Sequence, residues 1–224
     1  MLNNNQAAIK EFEKQSSRFI SLGESSVTFN HCSYPIIGSY DANPSVIMAI
    51  HSPAYQVSAM AHIDQNTDIQ AAIKALTAEV SSITKELYDT YKAEAAVIEQ
   101  SRTRLQKWLH TLSSKIGLVS KHLPIHPRDP NLPPLNVHLS SGSKQLNTTM
   151  NQLREQISRN SKLQLKSVHQ QTGLAIDSRS GKVYTGSFSE QHFMAIAPTS
   201  TPLPSTLIDN NNQDMRQQYT ATVA

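Results

Sequence analysis

Two serines and a histidine are the residues of this sequence whose types and spacing could do covalent chemistry. Ser39 lies six residues before Ser45, and His62 lies seventeen residues after it. A nucleophile where a loop enters a strand, beside a histidine from a neighbouring strand, can hydrolyse an acyl bond. The spacing alone is weak evidence, because the chain has 28 serines and the pattern by itself favours His62 as a strand histidine with backbone partners.

Other residues offer less. Cys32 is the single cysteine, and its neighbour His31 would point to the opposite face of a strand, so the two do not form a nucleophile–base pair. His122 and His126 have no carboxylate or cysteine at ligand spacing. We therefore expect no metal and no other cofactor.

A longer pattern surrounds Ser45. In order along the chain it contains Gly38-Ser39, Asp41-Ala42, Ser45, an apolar strand at 46–50 and Ala61-His62-Ile63-Asp64. This pattern resembles the protein N-terminal asparagine amidohydrolase family, which hydrolyses the side-chain amide of an N-terminal asparagine. Its spacing also resembles the chemotaxis-receptor glutamine deamidases and, more remotely, the bacterial deamidase toxins. Two later blocks are similar to the same family: residues 135–142 resemble its strand–glycine–helix segment, and residues 173–188 its late hairpin.

Ser45 departs from that family, whose nucleophile is a cysteine. A thiol is readily ionised beside an imidazole, whereas a serine hydroxyl needs a complete base and oxyanion hole. Three explanations are open: an inactivated form of the enzyme, a natural relative without activity, or an enzyme that uses serine. We favour an inactivated form, because the residues around Ser45 still match an intact site.

The resemblance implies a role for each residue of the site. A cysteine at position 45 would attack the amide carbon, His62 would act as base and then as acid, and Ser39 would hydrogen-bond the histidine and orient it. Backbone N–H groups around Pro44 and Val46 would form the oxyanion hole, although Pro44 itself has no N–H to donate.

The implied reaction is hydrolysis of a carboxamide in a protein or peptide, from an N-terminal asparagine to aspartate with release of ammonia. Two alternatives stay open: an effector-like protein-glutamine deamidase, and a non-catalytic binding protein on the same scaffold. The expected partner is a protein or peptide that bears asparagine or glutamine. Asp64 has two open interpretations, as the receptor for a substrate amine or as the N-cap of the following helix. For Asp41 we favour a turn residue over a ligand.

The elements that would position these residues indicate an α/β (α+β) fold. We expect a mixed, largely antiparallel sheet or sandwich flanked by helices, because short β-branched runs alternate with stretches at helical spacing. The predicted strands are 27–29, 34–37, 46–51, 57–62, 135–139 and 163–168, with a hairpin at 174–184, and the predicted helices are 6–22 and 143–157.

Residues 68–115 contain no glycine or proline, and apolar residues repeat along them in heptads. The repeat changes step at residues 87–95, which is typical of either a stutter or a hairpin turn. We favour an inserted helical hairpin at 68–122, which either packs on the domain or binds a protein partner. A proline-rich connector at 123–134 and a disordered tail at 197–224 would complete a single domain of residues 1–196.

Composition argues against several classes of protein. A single cysteine cannot form an internal disulfide, and the apolar runs are too short to span a membrane. The start of the chain has no signal-peptide pattern. A net charge of +3 without a dense basic stripe does not favour nucleic acid. We therefore expect a cytoplasmic protein, or a secreted bacterial effector acting in a host cytosol, with no membrane or nucleic-acid partner.

Overall fold

The computed structural model describes residue 12 and residues 16–101, 134–143, 148–196 and 200–205. The predicted α+β class is confirmed, since mostly antiparallel strands form two sheets and helices pack against them. The strands are β1 (Ser17–Phe19), β2 (Glu24–Phe29), β3 (Ile36–Ser39), β4 (Val46–Ser52), β5 (Val57–Ile63), β6 (Leu135–Ser140), β7 (Leu163–His169), β8 (Gly173–Asp177), β9 (Val183–Gly186), β10 (Ala195–Ile196) and β11 (Thr201–Pro202). The helices are α1 (Ile69–Ser101), α2 (Thr148–Arg159) and a short 3-10 helix (Glu190–His192).

The two sheets pack face to face as a sandwich. One has six strands in the order β11-β2-β5-β4-β6-β7, in which only β6 and β7 are parallel neighbours. The other has five strands in the order β10-β1-β3-β8-β9, in which β1 runs parallel to both of its neighbours. Between the sheets lies a core that includes Ile37 and Ile176 from one and Ile47 and Met60 from the other.

Alternation along β4 and β5 decides which side chains face the helices and which face the second sheet. Val46, Met48 and Ile50 of β4 pack with α1 and α2 on one face, whereas Ile47 and Ala49 lie between the sheets. Successive residues of a strand point to opposite faces, so residues of β5 in phase with Met60 face the second sheet. His62 is in that phase. The site residue on β5 therefore belongs to the layer between the sheets.

Helix α1 is one continuous helix across residues 87–95, so the prediction of a hairpin turn there is wrong. Steps of four residues suit a straight helix of 3.6 residues per turn, and the segment has no helix breaker. The alternative prediction, a stutter within one helix, agrees with the continuous helix. Residues 102–122 of the predicted insert and residues 123–133 of the predicted connector lie outside the described residues.

Two further predictions need correction. Residues 17–19 form β1 rather than part of a helix, because all three are buried and pair with β3 and β10. The predicted disordered tail is ordered at residues 200–205: β11 pairs with β2, and the N–H of Asp68 donates to the carbonyl of Pro204. Backbone pairing does not require apolar side chains, so composition could not predict it. Residues 206–224 lie outside the described part.

No helix in the described part of the chain combines the length and apolarity needed to cross a membrane.

Candidate active site

Three neighbouring segments bring the predicted site residues together. Ser39 is the last residue of β3, Ser45 immediately precedes β4, and His62 is the penultimate residue of β5. In the antiparallel pairing of β4 with β5, Ile47 is opposite His62 and Val46 is opposite Ile63. The start of β4 therefore lies beside the end of β5, which places the serine next to the histidine.

The three side chains form a continuous hydrogen-bonded chain. Ser45 Oγ lies 2.7 Å from His62 Nε2, and Ser39 Oγ lies 2.8 Å from His62 Nδ1. Ser39 is fully buried, and His62 is only 3% exposed. This is the arrangement of a nucleophile, a base and a residue that orients the base.

The hydroxyl proton of Ser39 determines the direction of this chain. Ser39 Oγ donates to the carbonyl oxygen of Ile20 at 2.8 Å, and a hydroxyl has only one proton. Ser39 Oγ must therefore accept the second bond from a proton on His62 Nδ1. In a neutral imidazole, Nε2 is then unprotonated and accepts the hydroxyl proton of Ser45, as a general base must.

Burial lowers the pKa of His62 to about 4, although the negative charges of Asp41 and Asp64 oppose the shift. Desolvation favours the neutral imidazole, so this histidine carries no charge at pH 7. The electrostatics therefore agree with the direction of the hydrogen bonds: His62 is a neutral acceptor in the resting site.

The segment that carries Ser45, here called the nucleophile loop (residues 40–45), is held by two other segments of the chain. The N–H of Ala42 donates to the carbonyl of Thr172 at 2.8 Å, and the carbonyl of Ala42 accepts from the N–H of Gly142 at 2.7 Å. Ser141 Oγ donates to the carbonyl of Ser45 itself at 2.9 Å. The segment after β6 and the turn between β7 and β8 thus support the predicted nucleophile.

Only glycine fits at position 142 of this support. A Cβ there would lie 2.5 Å from Thr172 Cγ2 and 3.3 Å from the carbonyl oxygen of Ala42. The absence of a side chain lets the segment after β6 approach the nucleophile loop closely. The family resemblance included Gly142, but neither it nor Ser141 was predicted to contact the loop.

The residues predicted for the oxyanion hole lie in different environments. Pro44 is exposed and follows a cis peptide bond after Asn43. Val46 is fully buried, and its side chain packs in the core between the six-stranded sheet and the helices. A contribution of Val46 to the site can therefore come only from its main chain, which is the part predicted for the oxyanion hole.

Asp64 does not cap α1, so that interpretation is wrong. Its Oδ1 accepts from the N–H of Asn66 at 2.9 Å and from Thr67 Oγ1 at 2.8 Å, which closes a turn between β5 and the helix. Asp68 is the residue at the helix start, since its Oδ1 accepts from the N–H of Ala71 at 3.0 Å. The other interpretation of Asp64, as a receptor for a substrate amine, stays a prediction.

Cys32 is remote from this site. It follows β2, whose Phe29 is paired with Val57 at the opposite end of β5 from His62, about 17 Å away along the strand. Its Sγ lies 2.8 Å from Thr28 Oγ1 and donates to the carbonyl oxygen of Tyr34 at 3.0 Å. The partners of this thiol are therefore local.

A second histidine cluster on β6 and β7 was not singled out in the sequence. Ser167 Oγ lies 2.7 Å from His138 Nδ1 and 2.6 Å from His169 Nε2. Burial is the main cause that lowers the pKa of His138 to about 4, and the positive charges of nearby histidines and Lys166 act in the same direction. Among the described residues, no group of three or more histidine, cysteine, aspartate or glutamate side chains is arranged to hold a metal ion.

No protein-family model matches this chain, and no curated protein matches it either. The resemblance to the asparagine amidohydrolases therefore depends on the short blocks of sequence described above.

Proposed function

We propose that this protein has the site of an amidohydrolase that converts a carboxamide of a protein or peptide, in first place an N-terminal asparagine, to the acid. The observation that carries this proposal is the hydrogen-bonded chain Ser45–His62–Ser39, with the neutral histidine directed as a base toward position 45. The resemblance of the surrounding sequence to asparagine amidohydrolases supports the choice of amide.

The residues would share the reaction as follows. The nucleophile at position 45 attacks the carboxamide carbon, and His62 Nε2 takes its proton. His62 then returns that proton to the nitrogen, the C–N bond breaks, and ammonia leaves an acyl-enzyme. Water, deprotonated by the same histidine, attacks the acyl carbon and releases the acid and the free nucleophile. Ser39 Oγ accepts a hydrogen bond from the Nδ1–H of His62 throughout and stabilises the imidazolium.

Serine is a poor match for this base. An imidazole whose pKa is about 4 removes a proton from an alcohol less readily than from a thiol, whose own pKa is much lower. The geometry of an intact site combined with a weak nucleophile supports the interpretation that Ser45 stands at a cysteine position. We expect the chain with Ser45 to turn over slowly at best.

The charges around the site favour a substrate with a positively charged amine. Asp41 and Asp64 both act on His62, and no described cation contributes to its pKa. Asp41 is exposed, whereas Asp64 already has two donors on one oxygen, so we propose Asp41 as the main receptor for an α-amine. This acidic environment supports an N-terminal asparagine over an internal glutamine.

The test is Ser45→Cys, assayed by ammonia release. We expect turnover on a peptide with N-terminal asparagine to rise by at least about 100-fold over the chain with Ser45. The same peptide acetylated at its α-amine should react far more slowly, since it cannot meet Asp41. Ser45→Cys combined with His62→Asn is the matched control, and it should be inactive.

The outcomes separate the alternatives. Release of ammonia from a glutamine-bearing protein, with none from the asparagine peptide, would establish a glutamine deamidase instead. A folded Ser45→Cys variant that turns over neither substrate would reject the enzyme and leave a binding protein on this scaffold.

A further inference from the structure

The helical face of the molecule contains an open groove, here called the α1–α2 groove, with a volume of about 870 Å³. One wall is the first three turns of α1, and the other is the end of α2 with the turn that leads to β7. The side chains of the candidate site lie on the opposite face of the six-stranded sheet, between the two sheets. The groove is therefore a separate feature.

The lining of the groove combines apolar surface with positively charged side chains. It includes Lys74, Arg159 and Lys162, and no aspartate or glutamate among the described residues lines it. Arg159 forms an exposed ion pair with Glu155, at 2.6 Å, which offsets its charge. Lys74 and Lys162 have no ion pair with a described carboxylate, so the groove presents net positive charge.

The shape of the groove suits an extended polypeptide. From Gln70 to Ser81 the helical wall is about 16 Å long, which is the length of about five residues of extended chain. Gln70 and Gln156 line it together with the cations, and primary amides can both donate to and accept from a peptide backbone.

The turn that carries Lys162 is fixed by its own hydrogen bonds. Asn160 Oδ1 accepts from the N–H of Lys162 at 3.0 Å, and the carbonyl of Asn160 accepts from the N–H of Leu163 at 3.0 Å. The main chain on this wall is therefore pre-organised, which lowers the entropy lost on binding.

We propose that the α1–α2 groove binds an extended, acidic segment of a partner protein. Carboxylates of that segment meet Lys74 and Lys162, and the glutamines of the two walls bind its backbone. Charge complementarity selects an acidic segment over a neutral or basic one.

Fluorescence anisotropy with labelled peptides tests this. The probe is a peptide of about six residues that alternates glutamate with serine. We expect it to bind with an affinity that falls as salt is added, and an equal peptide with glutamine for glutamate to bind at least about tenfold more weakly. The double variant Lys74→Glu with Lys162→Glu should lose about tenfold or more in affinity for the acidic peptide.

The matched control is Lys85→Glu with Lys166→Glu, which makes the same change of net charge at two exposed lysines outside the groove. This control should bind the peptide like the unmodified chain, and circular dichroism should show both double variants folded. An equal loss in both variants would overturn the groove as the site, and so would the absence of binding. Tighter binding of a single-stranded oligonucleotide, abolished by Lys74→Glu with Lys162→Glu, would replace the acidic peptide by nucleic acid.

Discussion

At the scale of single residues, the chemistry of the candidate site depends on one proton of Ser39. Because that proton goes to the carbonyl of Ile20, the hydroxyl oxygen is left to accept from His62 Nδ1. The tautomer that results has its free lone pair on Nε2, facing Ser45. A residue outside reach of the substrate thereby determines which ring nitrogen is the base.

Ser39→Ala, made together with Ser45→Cys, removes the acceptor for the Nδ1 proton. We expect kcat for ammonia release to fall by about 10- to 100-fold with little change in KM, because the substrate does not contact Ser39. The Nδ1–H resonance of His62 in the proton NMR spectrum should shift or disappear.

Ser58→Ala is the control for Ser39→Ala. Ser58 is fully buried on β5, and its Oγ lies 2.9 Å from His51 Nδ1. The substitution therefore removes the same kind of serine–histidine hydrogen bond, but away from the site. Its kcat should be unchanged. An equal fall in kcat in both variants would mean that Ser39 is only structural.

At the scale of elements, the position of Ser45 is set by segments distant from it in the chain. The pairing of β4 with β5 brings the serine beside the histidine, and the segment after β6 then holds the nucleophile loop from outside. Ser141 and Ser45 are separated by 96 residues, yet one hydroxyl joins them. The geometry of the site therefore depends on the close contact between Gly142 and the nucleophile loop.

Gly142→Ala, made with Ser45→Cys, should disturb that contact. Its Cβ would meet Thr172 Cγ2 at 2.5 Å, so the nucleophile loop or the Thr172 segment must shift. A displacement near 1 Å of a reacting group costs about 100-fold in rate, and we expect a loss of that order in kcat.

Adding Thr172→Ser should restore part of this loss, because it removes the methyl group that the new Cβ meets while its carbonyl still accepts from Ala42. Failure of the serine to restore any activity would show that the clash with Thr172 is not how position 142 affects the site.

At the scale of the whole molecule, neutral histidines are buried in the sandwich and connect its stability to pH. Burial lowers the pKa of both His51 and His62 to about 4, and the two are 2% and 3% exposed. In the unfolded chain such groups titrate near 6.5. Between these values the unfolded state binds more protons than the native state, so stability falls as pH falls.

We therefore expect the free energy of unfolding to decrease from pH 7 to pH 4. Each of His51 and His62 should account for a loss of about 2–3 kcal/mol in the free energy of unfolding over this range. The loss begins as the pH falls below about 6.5. Glu79 acts in the opposite sense, because burial raises its pKa and its protonation favours the native state on acidification. Urea unfolding at several pH values measures the sum.

His51→Gln removes one of the histidines whose pKa is lowered by burial, a set that also includes His138. The substitution should make the free energy of unfolding depend less steeply on pH and lower it at pH 7. His31→Gln makes the same substitution at an exposed position and should change the free energy of unfolding at pH 7 by no more than about 0.5 kcal/mol. A free energy of unfolding that stays level or rises toward pH 4 would contradict the assignment of neutral buried histidines.

The local features of this protein follow from its sequence alone. Short periodic runs predict most strands of both sheets. The spacing of Ser39, Ser45 and His62, together with the family resemblance of the residues around them, predicts the candidate site, because these patterns depend on residues close in the chain. The start of α1 shows the limit of such local patterns. Asp64 and Asp68 are both of a residue type that caps helices, and the structure has Asp68 in that role.

The contacts between distant segments follow from the fold and not from any local pattern. The support of the nucleophile loop by Ser141 and Gly142, the pairing of β11 with β2 and the groove between α1 and α2 all join residues far apart in the chain. Such contacts depend on how sheets and helices pack, and backbone groups make several of them regardless of side-chain type. A local pattern of residues therefore cannot specify them, whereas it can specify the strand or helix on which each residue lies.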